Sequence, residues 1–390
     1  MAIRDSLKDR IISDDPSKLQ GIYGSSILTL EKQPTSRQFD GVDFPYILKL
    51  DFNEDLENSL SFFKDISSQG IFDDLIFKHG AVLIKNIGHS SAAHFSKLIT
   101  AIEEGRGNKP YQQIGLAGKR HEKAKNVFTA NEGPPSIRFY QHNEYARYTH
   151  FPPYIHFFCS EAATQGGETP LGHSAELFEK VYEAMPEFIE ELAQRRIKSS
   201  QNYPSKLSKR NFEGNEFHWE DADAFGHFIK DGDSRKVQKE KAEVMIRKLT
   251  DDFTWNEDES VTIHQHVPPI RVHPVSGKPI FFNGLVGRFG TARDKEALDP
   301  PYIGNDGGYY APIAFSDGEL IPKNKLLKIL EISLLLEFNH KWEDGDLVLV
   351  DNYQVSHGRL PWYDGNRVIL VSMWDNGENR PKEWNPKLSA

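Results

Sequence analysis

The sequence predicts a mainly β protein with helical insertions, of the double-sheet jelly-roll kind. Three observations carry that reading. Short aromatic and β-branched runs, broken by Gly and Pro, crowd residues 126 to 171. Similar runs return after residue 268 and again at the C-terminal end. Between them lies a helical and polar stretch without linker composition, so the strands read as one core with long insertions. The 390 residues are taken as a single domain, 1–390, with an N-terminal arm over 1–45. A helical, polar insert over 172–260 could cover a site.

The elements follow in chain order. "LENSLSFFKDI" (56–66) spaces its apolar residues for a helix, "GAVLIKNI" (80–87) reads as a buried strand, and "AAHFSKLITAIEE" (92–104) returns to helix. "NVFTANE", "SIRFYQHNEY", "YIHFFCSEA" and "TQGGETPLG" read as short strands and turns. "SAELFEKVYEAM" and "PEFIEELAQRRI" read as two helices, with Pro186 suited to a first turn. Residues 198–260 are polar, with one amphipathic helix near 234–248. Strands resume at "PPIRVHP" and "KPIFFNG". One long helix, "NKLLKILEISLLLEFNHKW", precedes two final strands in "GDLVLVDNYQVSHGR" and "RVILVSMWD".

Composition narrows the function classes. With 47 Lys+Arg against 57 Asp+Glu, the net charge of −10 does not favour nucleic acid or an anionic membrane. Cys159 is the single cysteine, which rules out an internal disulfide and a cysteine-rich zinc site. The start, "MAIRDSLKDRIISDDPSK", lacks the apolar core of a signal peptide, and no run approaches the ~20 apolar residues of a membrane helix. A cytoplasmic protein acting on a small molecule is expected; the oligomeric state is not legible.

"FYQHNEYARY" (139–148) puts His142 and Glu144 two positions apart, where an extended chain would point both side chains one way. The spacing alone says nothing. Fifteen histidines should yield about two such pairs by chance, and there are two, the other being His218/Glu220. Context separates them. The second pair lies in the acidic stretch "NEFHWEDADAFG" and reads as a solvated loop. The first follows an aromatic strand and precedes "GGETP", while the C-terminal "DNYQVSHGRLPWYDGNRVIL" delivers His357 and then Arg367. His142, Glu144 and His357 would make a facial triad suited to Fe(II) with open positions. Arg367 offers a fork for a carboxylate, and Thr169 a hydroxyl donor. His264 and His266, alternating in "TIHQHV", read as strand surface.

Four motifs in order, "HNE", "GGETP", "RVHPVSGKPIFFNG" and "GDLVLVDNYQVSHG…NRV", resemble the taurine dioxygenase/clavaminate synthase-like family of Fe(II)- and 2-oxoglutarate-dependent oxygenases. The likeness runs from about residue 80 to 375. It implies a double-stranded β-helix, with His142, Glu144 and His357 as catalytic iron ligands. It also implies that Arg367 pairs with the far carboxylate of 2-oxoglutarate, helped by Thr169, and that O2 is the oxidant. Hydroxylation, desaturation or oxidative cyclisation would then release succinate and CO2. Two departures matter. The place of the family's sulfonate-binding arginine, four residues after Arg367, is Val371, which argues against taurine. Glu144 is present where halogenating relatives lose the carboxylate, which argues against halogenation. Tyr145, Arg147, Asn283 and Arg288 are candidate substrate contacts, and a pocket arginine would favour a carboxylated or amino-acid-like substrate. Two other readings stand beside this one: a cupin-like binding protein that turns nothing over, and a zinc hydrolase using the same triad, which leaves Arg367 and Thr169 without a task.

Overall fold

Two sheets share one apolar core, and alternation along the strands decides which side chains enter it. The computed structural model describes residues 12–13, 27–31, 37–51, 56–115, 120–130, 133–207 and 217–386. The larger sheet runs Ile27–Leu30, Tyr46–Asp51, Ala81–Lys85, Leu347–Asp351, Tyr154–Glu161, Val368–Asp375, Val127–Thr129 and Glu122–Ala124, with Ile12–Ser13 at its edge. Pairings are antiparallel except Tyr46–Asp51 with Ala81–Lys85 and Ile12–Ser13 with Ile27–Leu30. Leu347 and Leu349 point one way, against Phe63, Phe72 and Phe95 of the helices Leu56–Ser68, Ile71–His79 and Ala92–Gly105. Val348 and Val350 point the other way. A strand buried on both faces must be apolar at every position, and "LVLV" is.

The smaller sheet runs Phe139–His142, Val355–Arg359, Thr169–His173 and Phe338–His340. Leu171, Val355 and Phe338 join Val348, Val371 and Phe157 in the core between the sheets. The helices Ser174–Ala184, Pro186–Arg195, Leu285–Asp294 and Lys323–Leu335 build a second core with Tyr140 of this sheet. Every strand carrying an expected ligand thus lies in a layer packed from both sides. Each fully buried Leu or Phe there is worth roughly 1.5–3 kcal/mol, which holds the ligand backbones still.

Three expectations change. The polar insert is partly sheet: Phe253–Trp255, Val261–Val267 and Ile197–Tyr203 pair in that order around a core of Trp219, Phe225, Met245 and Ile263. Strict alternation of buried and half-buried residues along "VTIHQHV" marks a one-faced strand. The expected helix near 234–248 is present as Arg235–Ile246. The long helix "NKLLKILEISLLLEFNHKW" ends at Leu335, and Phe338–His340 becomes an edge strand on Thr169–His173. Phe338 and His340 are buried with Asn339 exposed between them, so the period changes from 3.6 to 2 directly after "LLLE" with no Gly or Pro to mark the break. Most of the expected arm over 1–45 lies outside the described residues, but Ile27–Leu30 is a strand of the large sheet.

Candidate active site

His142 ends its strand directly opposite His357 in the antiparallel pair. Opposed residues share a face, and the two ring centroids lie 4.6 Å apart. Two imidazoles separated by 214 residues of chain therefore meet because of register. Glu144 arrives differently: the strand stops at His142 and Glu144 sits in the turn that follows. Asn352, from the turn between Leu347–Asp351 and Val355–Arg359, clamps that turn. Its Oδ1 accepts from the Glu144 amide (2.7 Å), and its Nδ2 donates to the carbonyls of Glu144 (3.0 Å) and Pro152 (2.7 Å). Glu144 Oε2 is thereby brought to 3.4 Å from His357 Nε2 and 4.0 Å from His142 Nε2.

Among the described residues, this is the one group of three such side chains whose ligand atoms all fall within 4.8 Å. His142 Nδ1 lies 2.9 Å from the Tyr140 carbonyl, which assigns its proton there and leaves a lone pair on Nε2. Burial, then the neighbouring His357, pushes His142 down to about 4. Burial works against ionisation of Glu144, but Arg120 and then His357 hold it well below the usual carboxylate range. Neutral imidazole and ionised carboxylate are the ligating forms, and this donor set fits a divalent iron.

The same pocket continues toward Arg367. It is lined by His142, Glu144, His357, Arg120, Thr169 and Arg367 with Phe139, Phe157 and Ile369, and encloses ≈ 410 Å³ including its open mouth. Arg367 Nε donates to the Gly167 carbonyl (2.7 Å) and NH2 to Thr169 Oγ1 (3.1 Å). Trp342 Nε1 donates to the same hydroxyl (2.9 Å). Thr169 Oγ1 accepts twice, so its own proton points elsewhere. Gly167 has φ +78, and a Cβ there would stand 2.9 Å from Arg367 Cδ. Burial, then Arg359, lowers Arg367 to about 10, and among the described residues no carboxylate pairs with it. The second glycine of "GGETP" thus makes room for a cation awaiting an anion.

None of the four expected substrate contacts, Tyr145, Arg147, Asn283 and Arg288, lines this pocket. Asn283 spends its side chain on backbone, donating to the Pro269 carbonyl (2.8 Å) and accepting from the Leu285 amide (2.9 Å), and it does not line the pocket. Tyr145 has left-handed backbone, φ +55, and packs with the rings of Tyr111 and Tyr148. Arg147 donates to the Tyr148 hydroxyl (2.6 Å), and Arg288 makes long bonds of 3.4 and 3.5 Å to the Ala311 and Pro312 carbonyls. Burial, then the charge of Arg147, lowers Arg288 to about 10. Glu220 of the other pair is tied to Arg235 and Ser205. His264 meets Ser200 and His266 meets Asp252 on the insert sheet. Val371 is fully buried between the sheets.

Three residues of the site went unread in the sequence: Arg120, Asn352 and Trp342. Asn352 stands five residues before His357 in a motif already singled out. Arg120 has no local signal, since it reaches Glu144 from 24 positions upstream.

The model of the family described as taurine catabolism dioxygenase TauD, TfdA family matches residues 54–374. A clavaminate synthase-like protein of Arabidopsis thaliana is 27% identical over 310 residues, 77% of this chain and 83% of that protein. The dapdiamide synthesis protein DdaC of Enterobacter agglomerans is 25% identical over 306 residues, covering 78% and 84%. Among solved structures, the PvcB protein of Pseudomonas aeruginosa is similar with a TM-score of 0.45 at 14% identity, covering 96% of each chain. The match over residues 54–374 takes in the smaller sheet, the larger sheet from Ala81–Lys85 onward and the whole pocket. The chain therefore belongs to the taurine catabolism dioxygenase TauD, TfdA family, and is an Fe(II)- and 2-oxoglutarate-dependent dioxygenase.

Proposed function

We propose that His142, Glu144 and His357 hold Fe(II), that Arg367 and Thr169 take the far carboxylate of 2-oxoglutarate, and that the substrate is a small carboxylated or amino-acid-like metabolite. The observation that carries this is the shared pocket. Three converging ligand atoms lie at one part of it and a buried guanidinium lacking a described carboxylate at another. With 2-oxoglutarate and O2, bound iron supplies an oxidant able to break a substrate C–H bond, with succinate and CO2 as coproducts.

The chain's own residues do the rest. Arg367, fixed by Gly167 and Thr169, offers its fork to the cosubstrate carboxylate at low dielectric, where a charge-assisted bond is strong. The Thr169 hydroxyl donates the further bond. Phe139, Phe157 and Ile369 exclude water from the reacting centre. Arg147 and Arg288 stand outside the pocket lining without a carboxylate partner among the described residues, and an anionic group on a substrate that reaches beyond the pocket would meet them. Val371 argues against taurine, because the strand position that would carry a sulfonate-binding arginine is closed into the apolar core. Likeness to a protein of dapdiamide synthesis supports a role in making a small metabolite. No helix among the described residues is long and apolar enough to cross a membrane, and a cytoplasmic setting is proposed with the rest.

The test is succinate formation by protein reconstituted anaerobically with Fe(II), then given 2-oxoglutarate, O2 and a panel of amino acids and related carboxylates. Succinate that rises with a panel member and vanishes in His142→Ala is the expected result. Failure of iron-loaded protein to bind 2-oxoglutarate would defeat the proposal.

A further inference from the structure

The two oxygens of Glu144 have different neighbours. Oε2 faces the imidazoles, while Oε1 accepts a single bond from Arg120 NH2 at 2.8 Å. Arg120 and Glu144 are both largely buried, at 13% and 7% side-chain exposure, and both line the pocket. An arginine serving only to neutralise a buried carboxylate does best with a bidentate fork that takes both oxygens. Arg120 forgoes that arrangement. Tyr145, the residue after Glu144, has its backbone in the left-handed region that bulky residues seldom adopt. The turn after His142 is thus shaped so that one oxygen is tethered and the other left to a ligand.

Resting on the metal-site reading above, we propose that Arg120 is a positioning residue that restricts Glu144 to one metal-facing oxygen. An untethered Glu144 could swing both oxygens onto a bound ion and occupy a coordination position that the cosubstrate needs. With the tether, the triad spends one position per residue and leaves the opposite face open. Arg120 acts through Glu144 and makes no claim on substrate.

Calorimetry of Mn(II) binding, and of 2-oxoglutarate binding to the Mn(II)-loaded protein without O2, tests this without turnover. Arg120→Met is expected to weaken 2-oxoglutarate binding to the loaded protein by about 10–100-fold. Mn(II) binding should change less, and Arg120→Lys, which keeps a charged donor, should recover part of the loss. If Arg120→Met lacks the wild-type thermal transition, Arg120→Gln is read by the same criteria. Wild-type 2-oxoglutarate affinity in a folded Met or Gln variant, or a loss that Lys does not relieve, overturns the proposal. A wild-type protein that binds no Mn(II), or binds it equally well as His142→Ala, breaks the metal-site reading instead.

Discussion

Two regions of this molecule set imidazole, carboxylate and guanidinium side by side, and only one of them is open. Against the large sheet, Glu103 of helix Ala92–Gly105 is completely buried, with a partner at each oxygen. Arg106 NH1 is 2.6 Å from Oε1, His156 Nε2 lies 3.0 Å from the same oxygen, and Asn108 donates to Oε2 at 2.7 Å. Arg106 continues to Asp73 and lies over the Tyr154 ring. At the triad, Glu144 also meets an arginine, but both imidazole Nε2 atoms stand off from its second oxygen, and the His142 side chain remains 27% exposed. The same residue types make a buried structural network in one place and a pocket-facing cluster, proposed above to hold iron, in the other. What separates them is access: the Glu103 cluster is sealed in the core, and the Glu144 cluster lines a pocket.

If that distinction holds, variants at the two places should fail in different ways. The largest effect is expected from His357→Ala or His142→Ala, which should take 2-oxoglutarate-dependent succinate formation below detection while the thermal midpoint stays close to wild type. A collapse of the midpoint would place the triad among the structural networks. Next, Glu103→Gln should destabilise by about 3 kcal/mol, because it strands part of a buried charge network, while the KM for 2-oxoglutarate is unchanged. Urea unfolding and steady-state kinetics separate the two outcomes.

Arg367→Ala should weaken 2-oxoglutarate binding by about 10–100-fold, the worth of a lost charge-assisted bond, and should be measured on metal-loaded protein. Gly167→Ala should raise the same KM by a smaller factor, since the new methyl meets Arg367 Cδ and the backbone is held at φ +78. A wild-type KM there would show that Arg367 has slack. The smallest effect is in pH dependence. Burial raises Glu103, but Arg106 and then His156 outweigh it and bring it down to about 2. Its contribution is therefore complete above the unfolded carboxylate value of ~4.3 and is lost as pH falls toward 2. Thermal midpoints of Glu103→Gln should converge on wild type over that acid window.

Much of the site was legible because its residues travel in motifs. Chance explains one His-x-Glu pair as well as another, yet "HNE" stood in a context that "HWE" lacked. Glu220 is tied to Arg235 and Ser205, and the His218 ring stands 3.7 Å from Asp221 within the insert. The reason first given for His142 and Glu144, alternation along an extended chain, describes only His142. Glu144 converges because Asn352 folds the turn back. The missed strand Phe338–His340 shows a similar limit. The stretch "LLLEFNHKW" has no Gly or Pro to show where helix gives way to strand, and the change is fixed only when a partner strand offers backbone bonds, as Thr169–His173 does.

The sequence by itself determined the jelly-roll class, the buried strands, the three candidate ligands and the arginine proposed for the cosubstrate, because hydrophobic period and motif order are local properties of the chain. Only the tertiary structure decided the pairing of His142 with His357, the tether of Arg120 on Glu144 and the support of Thr169 by Trp342. Those contacts join residues 24 to 215 positions apart. Register and packing fix them, and neither is written in any one stretch of sequence.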